Sequence, residues 1–130
     1  IAVLDWEIVT LGDPLADLAY CFQSLDTYED HLNQPALVRG PYDVTTGDLA
    51  PGIPRKEAVV WDYCLQNPSI SYPVPQFKVY EAYAKFRMAC ILRGIQARFV
   101  AGNAASPHAK LFTSEVIFSL CMHTHAIINE

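Results

Sequence analysis

Positive charge is scarce in this chain. Its 130 residues carry 9 Lys and Arg against 14 Asp and Glu, a net charge of −5, so there is no basic footprint to make nucleic acid or an anionic membrane the main partner. No apolar run approaches the ~20 residues that a membrane-crossing helix needs, and no transmembrane segment is predicted. Cysteine is sparse as well: the 4 cysteines, Cys21, Cys64, Cys90 and Cys121, stand far apart and show no metal-ligand spacing. Each falls in an apolar helical context, which predicts reduced core cysteines and an intracellular, reducing compartment, with cytoplasm, peroxisome and mitochondrion not distinguished. His123 and His125 are two apart and fall on different helix faces without further zinc ligands nearby. No Ser-His-Asp arrangement can be argued from spacing, and no internal repeat is present.

What the chain does have is apolar material, 52% of its residues, enough for one globular domain. Asp13 and Pro14 suit the cap and first turn of a helix carrying Leu15, Leu18, Ala19 and Phe22 and ending near Ser24. From Leu25 to Gly52 no period persists, and the Gly and Pro punctuation predicts a long loop of the binding-loop or lid kind. A second helix is expected from about Arg55 to Leu65, with Val59, Val60, Tyr63 and Cys64 on its apolar face, ended by Asn67-Pro68. Pro73 and Pro75 then precede a long helix from about Gln76 to Val100, stopped by Gly102-Asn103. On it, Lys78, Glu81, Lys85 and Gln96 are expected on a solvated face, opposite a buried stripe of Phe77, Tyr80, Ala84, Met88, Ile91, Ile95 and Phe99. A last helix, about Ala109 to Ile128, should return antiparallel with Leu111, Phe112, Val116, Ile117, Leu120 and Ile127 inward. Trp6, Trp61, Tyr80 and Tyr83 could line a substrate cleft, but read as core aromatics.

The chemistry sits at the start. Ile1 to Leu4 reads as the end of a buried β-strand, which places Asp5, followed by Trp6 and Glu7, where an apolar element runs out. Mg²⁺ takes oxygen ligands from one or two carboxylates together with phosphate oxygens, so Asp5 points to phosphoryl transfer. Glu7 would reach such a metal through water or bind a neighbouring backbone amide.

Leu4-Asp5-Trp6-Glu7, followed by Gly12-Asp13-Pro14-Leu15-Ala16-Asp17-Leu18-Ala19, resembles the aminoglycoside phosphotransferase and choline kinase group of small-molecule kinases. A second stretch, Phe86 to Arg98 with Gly102-Asn103-Ala104, is similar to the phosphotransferase domain found with acyl-CoA dehydrogenase family members ten and eleven. The resemblance implies a mainly α fold: residues 1–130 would form the helical C-terminal-lobe portion of a protein-kinase-like α+β fold, with a short N-terminal strand. It implies Mg²⁺ at Asp5, with Glu7 as a second candidate, ATP as co-substrate and a small-molecule hydroxyl as acceptor, possible acceptors being a hydroxy acid or hydroxyacyl-CoA. Asp17 would support the site by accepting hydrogen bonds from the catalytic-loop backbone, and Asp13 by capping its helix. Arg87 and Arg98 project beside the buried stripe and need an anion. Two readings stay open for them: a buried ion pair with Asp13 or Asp17, or a bidentate hold on a substrate carboxylate or phosphate.

That family carries a Gly-rich nucleotide lobe and a His-Gly-Asp…Asn loop before the Asp-Trp-Glu strand, and nothing here matches either. The expectation is therefore a C-terminal fragment with no catalytic residue of its own, inactive alone, poorly soluble, and joined in its parent to a dehydrogenase domain. The rival reading is a non-catalytic helical remnant or pseudokinase acting as a binding module.

Overall fold

The computed structural model describes residues 2, 10–22 and 49–129. Among them the architecture is helical, with no β-strand. The expected N-terminal strand, apart from Ala2, and most of the long loop lie outside the described residues.

Helix α1 runs from Pro14 to Cys21. Its start is set as the sequence dictates: Asp13 adopts an extended backbone and its side chain accepts from the Leu15 amide at 3.0 Å, satisfying one of the donors that a helix N-terminus leaves open. Helix α2 spans Lys56–Gln66 and ends at Asn67, whose side chain donates back to the Tyr63 carbonyl at 2.8 Å. Helix α3, Phe77–Val100, is the axle of the domain; its 24 residues make it about 36 Å long.

The two ends of α3 are built differently. Gln76 precedes it in the left-handed conformation at φ 55° and offers no side-chain cap. At the other end Gly102 takes φ 74°. Its amide bonds the Phe99 carbonyl while the Asn103 amide bonds that of Arg98, both at 3.0 Å, the paired closure that a left-handed glycine permits.

The last helix starts later than the sequence period suggests. Residues Pro107–Leu111 form a 3₁₀ turn, capped by the Ser106 hydroxyl, which accepts from the His108 amide at 3.2 Å. Helix α4 then runs from Ser114 to Asn129, with the Thr113 hydroxyl accepting from the Val116 amide at 3.5 Å. A hydroxyl available to cap at Thr113 competes with continuation of one helix from Ala109.

Two apolar clusters hold these elements. Phe22, Val60, Cys64 and Val74 are buried where α1, α2 and the turn before α3 meet, with Leu15, Leu18, Val59, Ile70 and Phe77 around them. Ala89, Leu92, Phe112 and Leu120 are buried where α4 returns along α3, with Met88, Ile95, Val116 and Ile117 beside them.

The buried face of α3 is turned from the one the spacing predicts. Ala82, Ala84, Lys85, Ala89 and Leu92 are buried, while Ile91 and Phe99, expected inside, are 41% and 44% exposed. Apolar residues occur on every side of this helix, so its period does not choose a face; the small alanines, which let neighbouring helices approach closely, choose it instead. Lys85 is inside rather than on the solvated face, only 5% exposed. Glu81 is half-buried too and accepts from Lys56 of α2. Val79, Tyr83, Phe86 and Cys90, at successive turns, form an exposed, largely apolar stripe. Of the four thiols only Cys64 is in the core; Cys21, Cys90 and Cys121 are exposed, and all four are free, so the expectation of core cysteines is corrected at three positions.

Candidate functional site

The described part of the candidate site is a polar seam between α1 and α3. Asp13, Asp17 and Tyr20 recur at helical spacing along one face of α1, and Tyr80, Ala84 and Arg87 along one face of α3. The Tyr80 hydroxyl donates to Asp13 Oδ2 at 2.7 Å. Asp17 Oδ1 lies 3.8 Å from Arg87 Nη1, and the Arg87 guanidinium stands over the Tyr20 ring, 4.7 Å from its centroid. The pairing advances in the same direction along both helices, with buried Ala84 between the two polar contacts.

Asp13 therefore has both carboxylate oxygens engaged, one by the Leu15 amide and one by Tyr80. The Tyr80 hydroxyl, and after it the Leu15 amide, hold the Asp13 carboxyl below its ordinary range. In return the Asp13 carboxylate pushes Tyr80 above the ordinary phenol value. Both effects follow from one hydrogen bond that needs a charged acceptor and a protonated donor.

Of the residues singled out from sequence, Asp5 and Glu7 lie outside the described residues. Asp13 and Asp17 come together on α1. Arg87 meets Asp17, but this is an exposed pair, with side chains 47% and 85% accessible, not the buried one expected; its net worth is about 0–1 kcal/mol, and the ring contact adds about 0.5–1 kcal/mol. Arg98 is exposed at the far end of α3, its Nη1 folded back over Gly94. Eleven residues of helix, about 16 Å of rise, separate its backbone from that of Arg87.

Sequence reasoning missed Tyr80 and Tyr20 as partners of the seam, assigning Tyr80 to the apolar stripe. The sequence held no local signal for them, because the pairing depends on how α1 docks against α3. Trp61 and Tyr72 stack edge-on with centroids 5.0 Å apart and remain 47% and 43% exposed, so Trp61 is a surface rather than a core aromatic, as is Tyr83. His125 is bonded through its carbonyl to the Asn129 side chain at 2.7 Å. Among the described residues no three His, Cys, Asp or Glu side chains come together in a way that could hold a metal, and no helix is long and apolar enough to cross a membrane.

A mainly helical chain with this seam has its homologues among the acyl-CoA dehydrogenase family members 10 and 11. It is similar to mouse acyl-CoA dehydrogenase family member 10, with 42% identity over 110 residues, 85% of this chain and 10% of that protein. Human acyl-CoA dehydrogenase family member 11 is 34% identical over 116 residues, 89% of this chain and 14% of that protein. A probable acyl-CoA dehydrogenase of Arabidopsis thaliana is 29% identical over 110 residues, 82% of this chain and 12% of its own length. The chain thus spans 10% to 14% of the length of these much longer relatives. No family model matches the chain, and no solved structure matches it.

Proposed function

We propose that this sequence is part of an ATP-dependent phosphotransferase that phosphorylates a hydroxyl of a small molecule, within a polypeptide that also carries an acyl-CoA dehydrogenase domain. The observation that carries the reading is the run from Asp5 to Asp17, which resembles the metal-binding segment of aminoglycoside-phosphotransferase-like kinases and whose Asp13 caps α1. The relatives' names support the dehydrogenase association. In this reading residues 1–130 belong to the helical lobe of a kinase-like domain.

Asp5, with Glu7 assisting, would hold Mg²⁺, which supplies neutralisation of the charge on the nucleotide phosphates. The general base would come from a His-Gly-Asp loop, a pattern these 130 residues do not contain. Asp13 and Asp17 support the segment by fixing α1 against α3. Arg87, half-exposed and standing over the Tyr20 ring, is the better placed of the two arginines to meet an anionic group on the acceptor. Association with an acyl-CoA dehydrogenase favours a hydroxy acid or its CoA thioester as that acceptor, an argument by analogy.

The test is phosphoryl transfer from radiolabelled ATP to a panel of hydroxy acids and hydroxyacyl-CoA thioesters by the complete polypeptide. Asp5→Asn should abolish transfer while far-UV circular dichroism is unchanged; transfer retained at the wild-type rate overturns the metal role of Asp5, and a wild-type polypeptide that transfers phosphate to no acceptor overturns the phosphotransferase reading and favours a non-catalytic binding module.

A further inference from the structure

We infer that the exposed stripe of α3 is the seat of an acidic amphipathic helix supplied by another part of the same longer polypeptide. The inference rests on the family assignment and is independent of the phosphotransferase reading. Val79, Tyr83, Phe86 and Cys90 follow one another at intervals of four, three and four residues, the spacing that keeps apolar side chains in line along a second, closely packed helix. Val79, Tyr83 and Phe86 are each more than half exposed, and Cys90 is exposed beyond them. The stripe is about 16 Å long, roughly three turns. It is not the face that α1 and α4 cover, where Ala82, Ala84, Lys85, Ala89 and Leu92 are buried. Contiguous exposed apolar surface of this kind marks an interaction site.

Charge decides what sits there. Helix α3 carries five of the chain's nine Lys and Arg, namely Lys78, Lys85, Arg87, Arg93 and Arg98, and only one of its fourteen Asp and Glu. That acid, Glu81, lies on the far side of the helix and accepts from Lys56. Arg93 stands three residues beyond Cys90, in line with the stripe, and its exposed guanidinium bonds Gln96. Arg98 folds back over Gly94 along one edge. Arg87 borders the same edge, where Asp17 at 3.8 Å offsets part of its charge. A helix laid along the stripe therefore meets guanidinium groups at its end and along an edge, and these select carboxylates. A second copy of α3 brings the same cations and no acid on this face. The chain spans only 10% of mouse family member 10 and 14% of human family member 11, so a parent of that size has ample further sequence to supply the helix. A segment of the same polypeptide also meets the stripe at a far higher effective concentration than a separate protein does.

The test uses the complete polypeptide with p-benzoyl-phenylalanine in place of Phe86. A mixture of isotopically light and heavy protein is cross-linked by ultraviolet light and mapped by peptide mass spectrometry. The expected product joins position 86, light to light or heavy to heavy, to a segment outside residues 1–130 that has apolar residues at the same spacing and Asp or Glu beside them. Adding Arg93→Glu should lower the yield of that link at least about tenfold, because it sets like charges against each other at a desolvated contact. Lys110→Glu, the same change of charge off α3, should leave the yield unaltered. Cys90 reports the contact without the photoreactive group: in the wild-type polypeptide its alkylation by iodoacetamide should be at least about tenfold slower than in urea, and Arg93→Glu should bring it back towards the urea rate. A light-to-heavy link, which means a second copy covers the stripe, overturns the inference. So do a link to a segment without acids, an undiminished yield in Arg93→Glu, or the absence of any link with Cys90 alkylated at its urea rate.

Discussion

Leu92 and Ile91 are adjacent on α3 and chemically near-equivalent, yet they lie on opposite sides of a decision about which face is buried. Leu92 is 3% exposed among Ala89, Phe112 and Leu120, whereas Ile91 is 41% exposed. Truncating Leu92 to alanine loses its transfer free energy and leaves a space that α3 and α4 cannot fully close, a cost of about 3 kcal/mol. Truncating Ile91 removes partly wetted methyl groups and opens no enclosed space, a cost of about 1 kcal/mol. The gap of about 2 kcal/mol corresponds to roughly 8 °C between the two unfolding midpoints for a domain of this size. Thermal and urea unfolding of both variants beside wild type, followed by far-UV circular dichroism, measures it. Equal losses, or a greater loss at Ile91, would refute the assignment of the buried face and restore the stripe that the spacing of apolar residues predicts.

The Asp13–Tyr80 bond gives stability a dependence on pH at both extremes. Asp13, lowered in the fold, contributes stability that is present above the unfolded carboxyl value and lost as pH falls below about 4 through the folded one. Tyr80, raised in the fold, contributes stability that is complete below about pH 10 and lost as pH rises through the folded value. Tyr80→Phe should flatten both arms of the stability–pH curve and remove a step above the ordinary phenol value from the ultraviolet titration of the tyrosines; an unchanged curve would contradict the bond. Arg87→Ala should cost only about 1 kcal/mol, the sum expected of an exposed ion pair and a ring contact, and a loss above about 3 kcal/mol in urea unfolding would mean that the guanidinium is buried. Gln76→Gly should raise stability by about 0.5 kcal/mol, since relief of a left-handed side-chain residue outweighs the added freedom of the unfolded chain; a lower midpoint would refute the strain at φ 55°.

How much of this was readable beforehand differs by element. The start of α1 was legible because its signal is local: an Asp cap followed by Pro. The end of α3 was legible for the same reason, since Gly102 supplies the positive φ that closes the helix. The buried face of α3 was not, because its apolar residues surround it and the choice is made by contact with α1 and α4. The 3₁₀ turn before α4 was missed because Ala109, Leu111 and Phe112 continue the helical period, while the interruption comes from Ser106 and Thr113 hydroxyls bonding backbone amides. For the candidate site, sequence named Asp13, Asp17 and Arg87, but their partners Tyr80 and Tyr20 are set by a docking of helices that no short motif encodes.

The alanines of α3 bear on how related chains can diverge. Ala82, Ala84 and Ala89 are 4%, 1% and 4% exposed, and a side chain larger by even a few methylenes at such positions forces neighbours apart at about 1–3 kcal/mol. At Ala84 that displacement would fall midway between the Tyr80 and Arg87 contacts and lift α1 away from both. Drift at these three positions is thus confined by helix spacing alone, whatever reaction a parent protein performs. Smallness retained there across homologues would record the distance between two helices, and a change to a bulkier residue would have to be answered by a smaller one on α1 or α4.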